Sequence, residues 1–192
     1  MIVNTRPSLL GNKTNELLAH SGAEFTHEPL TKILSISPSS KALLNLKQLE
    51  SYDVIIFTSQ AAAKFGAPYL QKHMPKNLNL SIMAIGLATQ RFLNEQGLVS
   101  DVPSDFNSAG LAVLIDKSKH EKCLIFCGEK KPQLSLHTQI KLDTFSCYKV
   151  VDEESLDLGR IIGKQKAIFL VYNMQTLEVL VRHTQTVDLK AL

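Results

Sequence analysis

Short apolar runs recur along this chain: IVN near the start, then VIIF, SIMAI, CLIFC and AIFLV. The segments between them carry apolar residues at helical spacing. The runs predict strands over 1–5, 54–57, 82–85, 123–127, 144–151 and 166–171, and AEFTHEPL predicts one more over 23–30. The spacing predicts helices over 9–20, 42–49, 60–70, 88–96, 109–116, 133–141, 154–163 and 175–182. Residues 31–41, TKILSISPSSK, are Ser-rich with a Pro and read as a crossing segment or linker rather than a core element. Regular strand–helix alternation is the pattern of a doubly wound parallel sheet with helices on both faces. After Asp152 the pattern restarts, and KAIFLVYNMQTLEVL (166–180) is a weak echo of YDVIIFTSQAAAKF (52–65). The echo predicts two similar α/β halves, the second begun and not completed.

Composition narrows the class. With 44% apolar residues and a mean hydropathy of +0.01, the chain has material for a core. No apolar run approaches a membrane span, and MIVNTRPSLL reads as strand and turn rather than a leader. The expectation is a cytoplasmic protein with no membrane partner. Cys123, Cys127 and Cys147 are odd in number and lack a metal-ligand framework, which fits reduced structural thiols. A net charge of +3 without a Lys/Arg block gives nucleic-acid binding little support, yet it would help collect a small polyanion. The histidines at 20, 27, 73, 120, 137 and 183 have no metal-like spacing and are assigned to surface and loops. No phosphate loop, nucleophile elbow or zinc motif is present.

Chemistry concentrates between Tyr52 and Gly97. One buried strand ends in Thr58-Ser59-Gln60 and another in Gly86-Leu87-Ala88-Thr89, and each opens straight into a helix. Helix N-termini present unpaired N–H groups and the positive end of the dipole, so two side by side would form a shelf for a polyanion. The plain alternative is that Thr58 and Ser59 only cap a helix, and that Gly86 and Thr89 only make a tight turn. Capping and ligand contact are compatible at the carboxyl end of a parallel strand. Arg6, at the end of the first strand, together with Lys130 and Lys131, are candidates for pairing with carboxylates; exposed solvated bases are the alternative, above all for the lysines.

The order of these pieces resembles the uroporphyrinogen-III synthase family over nearly the whole chain. The matching residues are Thr5-Arg6-Pro7, Phe57-Thr58-Ser59, Gly86 with Thr89, Ser108 with Gly110-Leu111, Gly128 after a strand, and Tyr148 on the strand returning from the middle. The resemblance implies two α/β lobes joined by two extended crossing segments: residues 1–33 plus 151–192 in one lobe, incomplete, and 34–150 in the other. It also implies a cytoplasmic lyase, without metal or cofactor, that takes the linear tetrapyrrole hydroxymethylbilane into a cleft and closes it to uroporphyrinogen III with inversion of the last ring. The partners implied are that substrate, handed over by the preceding deaminase, and no nucleic acid; the expected state is a monomer. Tyr148 becomes the catalytic candidate, its hydroxyl assisting loss of the substrate's terminal oxygen as water. Arg6, Thr58, Ser59, Gln60, Gly86, Thr89, Ser108, Gly128 and Lys130 become the substrate-binding candidates.

Two departures stand out. A second Thr-Ser pair, usual in the C-terminal lobe, is replaced at positions that look like Leu170 and Val171. The chain also ends at Leu192, about fifty residues short of a comfortable two-domain size, so a C-terminally short member is expected, with about three strands in that lobe. The alternative function is a catalytically degenerate tetrapyrrole-binding relative. A generic response-regulator-like or sugar-binding α/β domain is a third reading, and it lacks the acidic cluster at the strand ends.

Overall fold

The structure is a computed structural model that describes residues 1–75, 78, 80–130, 132–154, 156, 158–162 and 166–184. In chain order the elements are β1 (Ile2–Asn4), α1 (Ser8–His20), β2 (Phe25–His27), β3 (Thr31–Ser35), α2 (Ser40–Leu46), β4 (Val54–Phe57), α3 (Gln60–His73), β5 (Ser81–Ala84), α4 (Leu87–Glu95), α5 (Ser108–Lys117), β6 (Lys122–Gly128), β7 (Lys141–Asp152), α6 (Gly159–Ile162), β8 (Ile168–Leu170) and α7 (Met174–Thr184). Single 3-10 turns cover Leu49–Ser51 and Gln133–Leu136. The chain forms two compact units, residues 1–34 with 150–192 and residues 35–149. No helix among the described residues is long and apolar enough to cross a membrane.

The larger unit is built on strands in the order β7-β6-β4-β5, in which β4 runs parallel to both β5 and β6, and β6 parallel to β7. Strand alternation splits its buried residues into two layers. Ile55, Phe57, Leu124, Phe126 and Phe145 face one way and pack with Ala62, Ala63, Ala67 and Leu70 of α3 and Leu93 of α4. Val54, Ile56, Met83, Cys123 and Ile125 face the other way and pack with Leu111, Ala112 and Ile115 of α5. The helices start where a polar side chain takes an orphan amide: Ser39 for α2, Ser59 for α3 and Asn107 for α5.

On the α3 side the layer is aromatic. The rings of Phe57 and Phe126 stack with centroids 4.6 Å apart, and Phe145 tilts against Phe126 at 4.8 Å. Helix α3 approaches this layer through Gly66, where a Cβ would fall 2.4 Å from Phe126 Cδ1.

The smaller unit has a three-stranded sheet of order β2-β1-β8, all parallel, with Asn4 registered against His27 on one side and Leu170 on the other. Val3, Leu30, Leu158, Ile161 and Val179 form its core.

Several expectations are corrected. Residues 133–141 are not a helix: Gln133–Leu136 is a 3-10 turn, and Lys141 already pairs with Lys122 as the first residue of β7. The stretch read as a linker contains strand β3 and the capped start of α2. The strand expected over 23–30 contracts to Phe25–His27, and of the helix expected over 154–163 only Gly159–Ile162 is helical among the described residues. The histidines are not all surface and loop residues: His20 is exposed, but His27 lies half-buried in β2, and His73 and His183 are half-buried in the last turns of helices.

The close approach at Gly66 gives a direct test. Ala is about 1 kcal/mol better than Gly inside a helix, yet overpacking a core costs typically 1–3 kcal/mol. Gly66→Ala is therefore expected to lower the urea midpoint despite its better helix propensity. A raised midpoint would show that α3 does not depend on this contact.

Candidate functional site at the carboxyl edge of the larger sheet

The order β7-β6-β4-β5 contains a reversal. The chain leaves β4 toward β5 through α3 on one face, then returns past β4 to β6 with α5 on the other face. Adjacent parallel strands whose connections leave in opposite directions open a crevice at their carboxyl ends, where such sheets bind ligands. Here that crevice lies between the ends of β4 and β6, at Thr58-Ser59 and Gly128.

Each hydroxyl at this edge has a defined task. Thr58 Oγ1 donates to the Phe126 carbonyl at 3.2 Å, tying the ends of β4 and β6 together. Ser59 Oγ accepts from the Ala62 amide at 3.0 Å as the cap of α3 and donates to the phenol oxygen of Tyr148 at 3.0 Å. Gln60 Nε2 donates to the Ala88 carbonyl at 3.2 Å, which holds the starts of α3 and α4 beside one another. Gly86 caps α4 with no side chain, and its carbonyl accepts from both Thr89 and Gln90. The first-turn amides of Gln60, Ala61, Leu87 and Ala88 have no acceptor within their own helices and carry the positive ends of two dipoles. The shelf is thus made of backbone N–H groups, while the hydroxyls brace it. Thr89 turns inward and is buried; Ser108 is half-buried in the first turn of α5, Lys130 is exposed beyond β6, and Arg6 belongs to the smaller unit. Lys131 lies outside the described residues.

Tyr148 reaches this edge through an irregularity. The register between β6 and β7 slips at Cys127/Gly128, so that Gly128 pairs with Tyr148. Cys147 and Tyr148 consequently both pack on the α3 side of the sheet, where strict alternation would have sent them to opposite faces. The ring lies over Gly128, where a Cβ would come within 3.0 Å of Tyr148 Cζ and 3.3 Å of its hydroxyl. Burial pushes the phenol above its ordinary value of 10.0, and the hydrogen bond from Ser59 offsets only part of that rise. The phenol therefore stays protonated at neutral pH. Because Ser59 donates to its oxygen, the phenolic hydrogen is not used in that bond. Among the described residues no group of three or more His, Cys, Asp or Glu side chains is placed to hold a metal ion.

Sequence reasoning missed polar residues in the smaller unit. The residues expected to replace a Thr-Ser pair, Leu170 and Val171, do not start α7. Strand β8 ends at Leu170, the loop is one residue longer, and Asn173 Oδ1 accepts from the Thr176 amide at 2.9 Å as the cap. Tyr172 precedes that cap, its ring 4.5 Å from the guanidinium carbon of Arg6. The polar pair Tyr172-Asn173 was visible in the sequence, but the loop length that aligns it was not.

Fold and edge together define a class: a parallel α/β protein with two helix N-termini side by side at the carboxyl ends of its strands and one protonated phenol held there. Solved structures of this fold include a mutant uroporphyrinogen III synthase from Thermus thermophilus, with a TM-score of 0.61 and 14% identity over 94% of this chain and 75% of that one. Another is the uroporphyrinogen-III synthetase from Helicobacter pylori, with a TM-score of 0.60 and 13% identity over 97% of this chain and 79% of that one. At such identities the likeness establishes the fold. No curated protein sequence matches the chain. The family model for uroporphyrinogen-III synthase HemD matches residues 12–181, and the chain belongs to that family.

The phenol supplies a test by pH. A group whose folded pKa is raised contributes stability that is present below its unfolded value and lost as pH climbs through the folded one. Stability is expected to begin falling near pH 9, where burial keeps the thiols of Cys123, Cys127 and Cys147 protonated only in the folded chain, and to fall further above about 10, with Tyr148→Phe falling less steeply than the parent chain in that upper range. Tyr52, raised by burial and by Asp143, contributes to the alkaline loss in both proteins and cancels in the comparison. Equal slopes in urea titrations across that range would show that Tyr148 ionises freely.

Proposed function

We propose that this chain is a hydro-lyase that cyclises hydroxymethylbilane to uroporphyrinogen III, with loss of water and inversion of the last pyrrole ring. The observation that carries the reading is the Ser59–Tyr148 pair at the crevice between β4 and β6, in a chain of this family.

The reaction needs a proton for the terminal hydroxymethyl oxygen, so that the carbon–oxygen bond can break and water leave. Tyr148 is a neutral donor across the working range, and Ser59 is already aimed at the oxygen that becomes negative once the proton is given. The substituted carbon of the last ring attacks the cationic azafulvene so formed, giving a spiro intermediate that fragments and re-closes with that ring inverted. The proton lost when the ring regains aromaticity returns to the tyrosinate, which balances the cycle without a metal or cofactor. Selecting the disfavoured carbon is a matter of how the chain is folded, which is the work of positioning rather than of strong acid. The first-turn amides of α3 and α4 suit the substrate's carboxylates.

In this reading the two compact units are the two lobes of the enzyme, each holding carboxylates at the carboxyl end of its own sheet. The protein works in the cytoplasm as a monomer and takes its unstable substrate from the deaminase that makes it.

The test generates hydroxymethylbilane in situ, adds the purified chain, and reads the ratio of type III to type I uroporphyrin after oxidation. Type III product is expected to dominate, because the unassisted reaction gives type I. Tyr148→Phe is expected to lower kcat by about 10²-fold or more with little change in KM. Type I product alone from folded protein would leave a tetrapyrrole-binding relative without activity.

A further inference from the structure

Arg6 is held far more elaborately than an exposed base needs. Its backbone amide donates to Asn4 Oδ1 at 3.2 Å, and its carbonyl is bonded by His27 Nε2 at 2.8 Å. Asn4 Nδ2 donates to Asn15 Oδ1 at 2.7 Å, and Asn15 Nδ2 meets His27 Nδ1 at 3.1 Å. These contacts close a ring: Arg6, Asn4, Asn15, His27 and back to Arg6.

The ring has one consistent set of donors. A carbonyl only accepts, so His27 Nε2 carries the hydrogen; Nδ1 then accepts from the Asn15 amide, whose oxygen faces Asn4. Turning either Asn would set two donors or two acceptors against each other. Asn4 is fully buried, so such a mismatch would be costly. Room for the imidazole comes from Gly11 in α1, where a Cβ would fall 2.4 Å from His27 Cε1 and Nε2. A glycine inside a helix costs about 1 kcal/mol relative to Ala, and here it admits the His27 ring.

The side chain is mounted as well as the backbone. Tyr172 places its ring 4.5 Å from the guanidinium carbon and donates its hydroxyl to the same Asn4 Oδ1 at 3.2 Å. The ring is thereby tied to the atom that holds the Arg6 amide. No carboxylate among the described residues pairs with Arg6. A half-buried guanidinium, stacked on an aromatic face and fixed at both backbone ends, has its N–H fork committed to no anion among the described residues.

We propose that Tyr172, tied through Asn4 to the Asn15–His27 chain, is the positioning residue that aims the Arg6 guanidinium at a carboxylate of the substrate, making Arg6 a carboxylate-selective contact of the smaller unit. A stacked guanidinium keeps its N–H edges free, and that fork matches a carboxylate bidentately. The inference rests on the proposed function for the identity of the carboxylate-bearing ligand. Tyr172 touches Arg6 and Asn4, and its effect on the substrate runs through Arg6.

The experiment compares the parent chain with Tyr172→Leu, Tyr172→Phe, Arg6→Gln and the double variant Arg6→Gln/Tyr172→Leu. Two readouts are used: fluorescence titration with uroporphyrin III as an octacarboxylate probe, and KM and kcat in the coupled assay. Tyr172→Leu is expected to weaken porphyrin binding and raise KM by roughly tenfold, with kcat falling less than KM rises. Tyr172→Phe, which keeps the ring but loses the tie to Asn4, is expected to recover only part of that loss, and full recovery would show that the tie to Asn4 does not aim Arg6. The double variant is expected to be no worse than Arg6→Gln, because a residue acting through Arg6 has nothing further to lose.

If the parent chain makes type III product and Tyr172→Leu binds and turns over like it, the inference fails while the function stands. If the parent makes no type III product but Tyr172→Leu still weakens porphyrin binding, the function fails and the mount stands. Additive losses, or a parent chain that neither binds porphyrin nor yields type III product, would overturn the mount.

Discussion

Helix α3 meets its sheet through Ala62, Ala63, Gly66 and Ala67, which lie on the aromatic layer of Phe57, Phe126 and Phe145. Small residues against large rings let the helix axis come close, and Gly66 sets the limit, because any side chain there would enter the ring of Phe126. Each buried ring contributes about 1.5–3 kcal/mol through its removal from water, so the layer is a strong anchor. The consequence reaches the edge of the sheet. The start of α3 is fixed relative to the ends of β4 and β6, and Ser59 sits at that start. One small-to-large packing contact thereby decides where a cap hydroxyl, two free amides and the end of a helix dipole are presented.

The second constraint is the register slip in β7. A regular strand would place Cys147 and Tyr148 on opposite faces, and a phenol on the α5 side could not reach Ser59. The slip brings both onto the α3 side, where Cys147 is buried beneath α3 and Tyr148 stands at its end. Gly128 is the complementary half of the arrangement, since the ring occupies the space that a side chain on β6 would fill. Burial then sets the protonation state of the phenol. The environment that raises the phenol's pKa keeps it protonated at neutral pH, and the Ser59 hydrogen bond offsets part of that rise.

What the sequence disclosed follows from how local each feature is. The strand over 54–57 appears with the bounds expected of it, because VIIF is apolar on both faces and is bounded by Asp53 and Thr58. The helices beginning at Gln60 and Leu87 start within a residue of expectation, for their start signals lie in the adjacent residues. Residues 133–141 have helical spacing, but β7 takes Lys141, Leu142 and Asp143 into register with Lys122, Cys123 and Leu124, and too little chain remains for more than a 3-10 turn. That is a tertiary preference overriding a local one. The slip that turns Tyr148 has no local signature at all, since it depends on how β6 and β7 settle against each other. The family resemblance was legible from motif order alone, and the family match over residues 12–181 agrees with it.

The smaller unit shows the same logic with different residues. Where α3 begins at Ser59, α7 begins at Asn173, and both caps accept the amide three residues on. The extra loop residue between β8 and that cap is what carries Tyr172 into contact with Arg6 and Asn4, residues more than 160 positions away along the chain. No periodicity could have announced that contact, yet each participant is placed by an ordinary local rule. Asn4 is the last residue of β1, His27 pairs with it across the sheet, and Tyr172 follows β8, which pairs with β1 on the other side. Three parallel strands ending together, with Asn15 supplied by α1, gather the ring. A sheet this small leaves few buried polar groups that are cheap to hold, and the fully buried Asn4 is tolerable because both ends of its amide are bonded. The polar ring is therefore at once a condition of the unit's stability and the means by which one cation is held in a fixed direction.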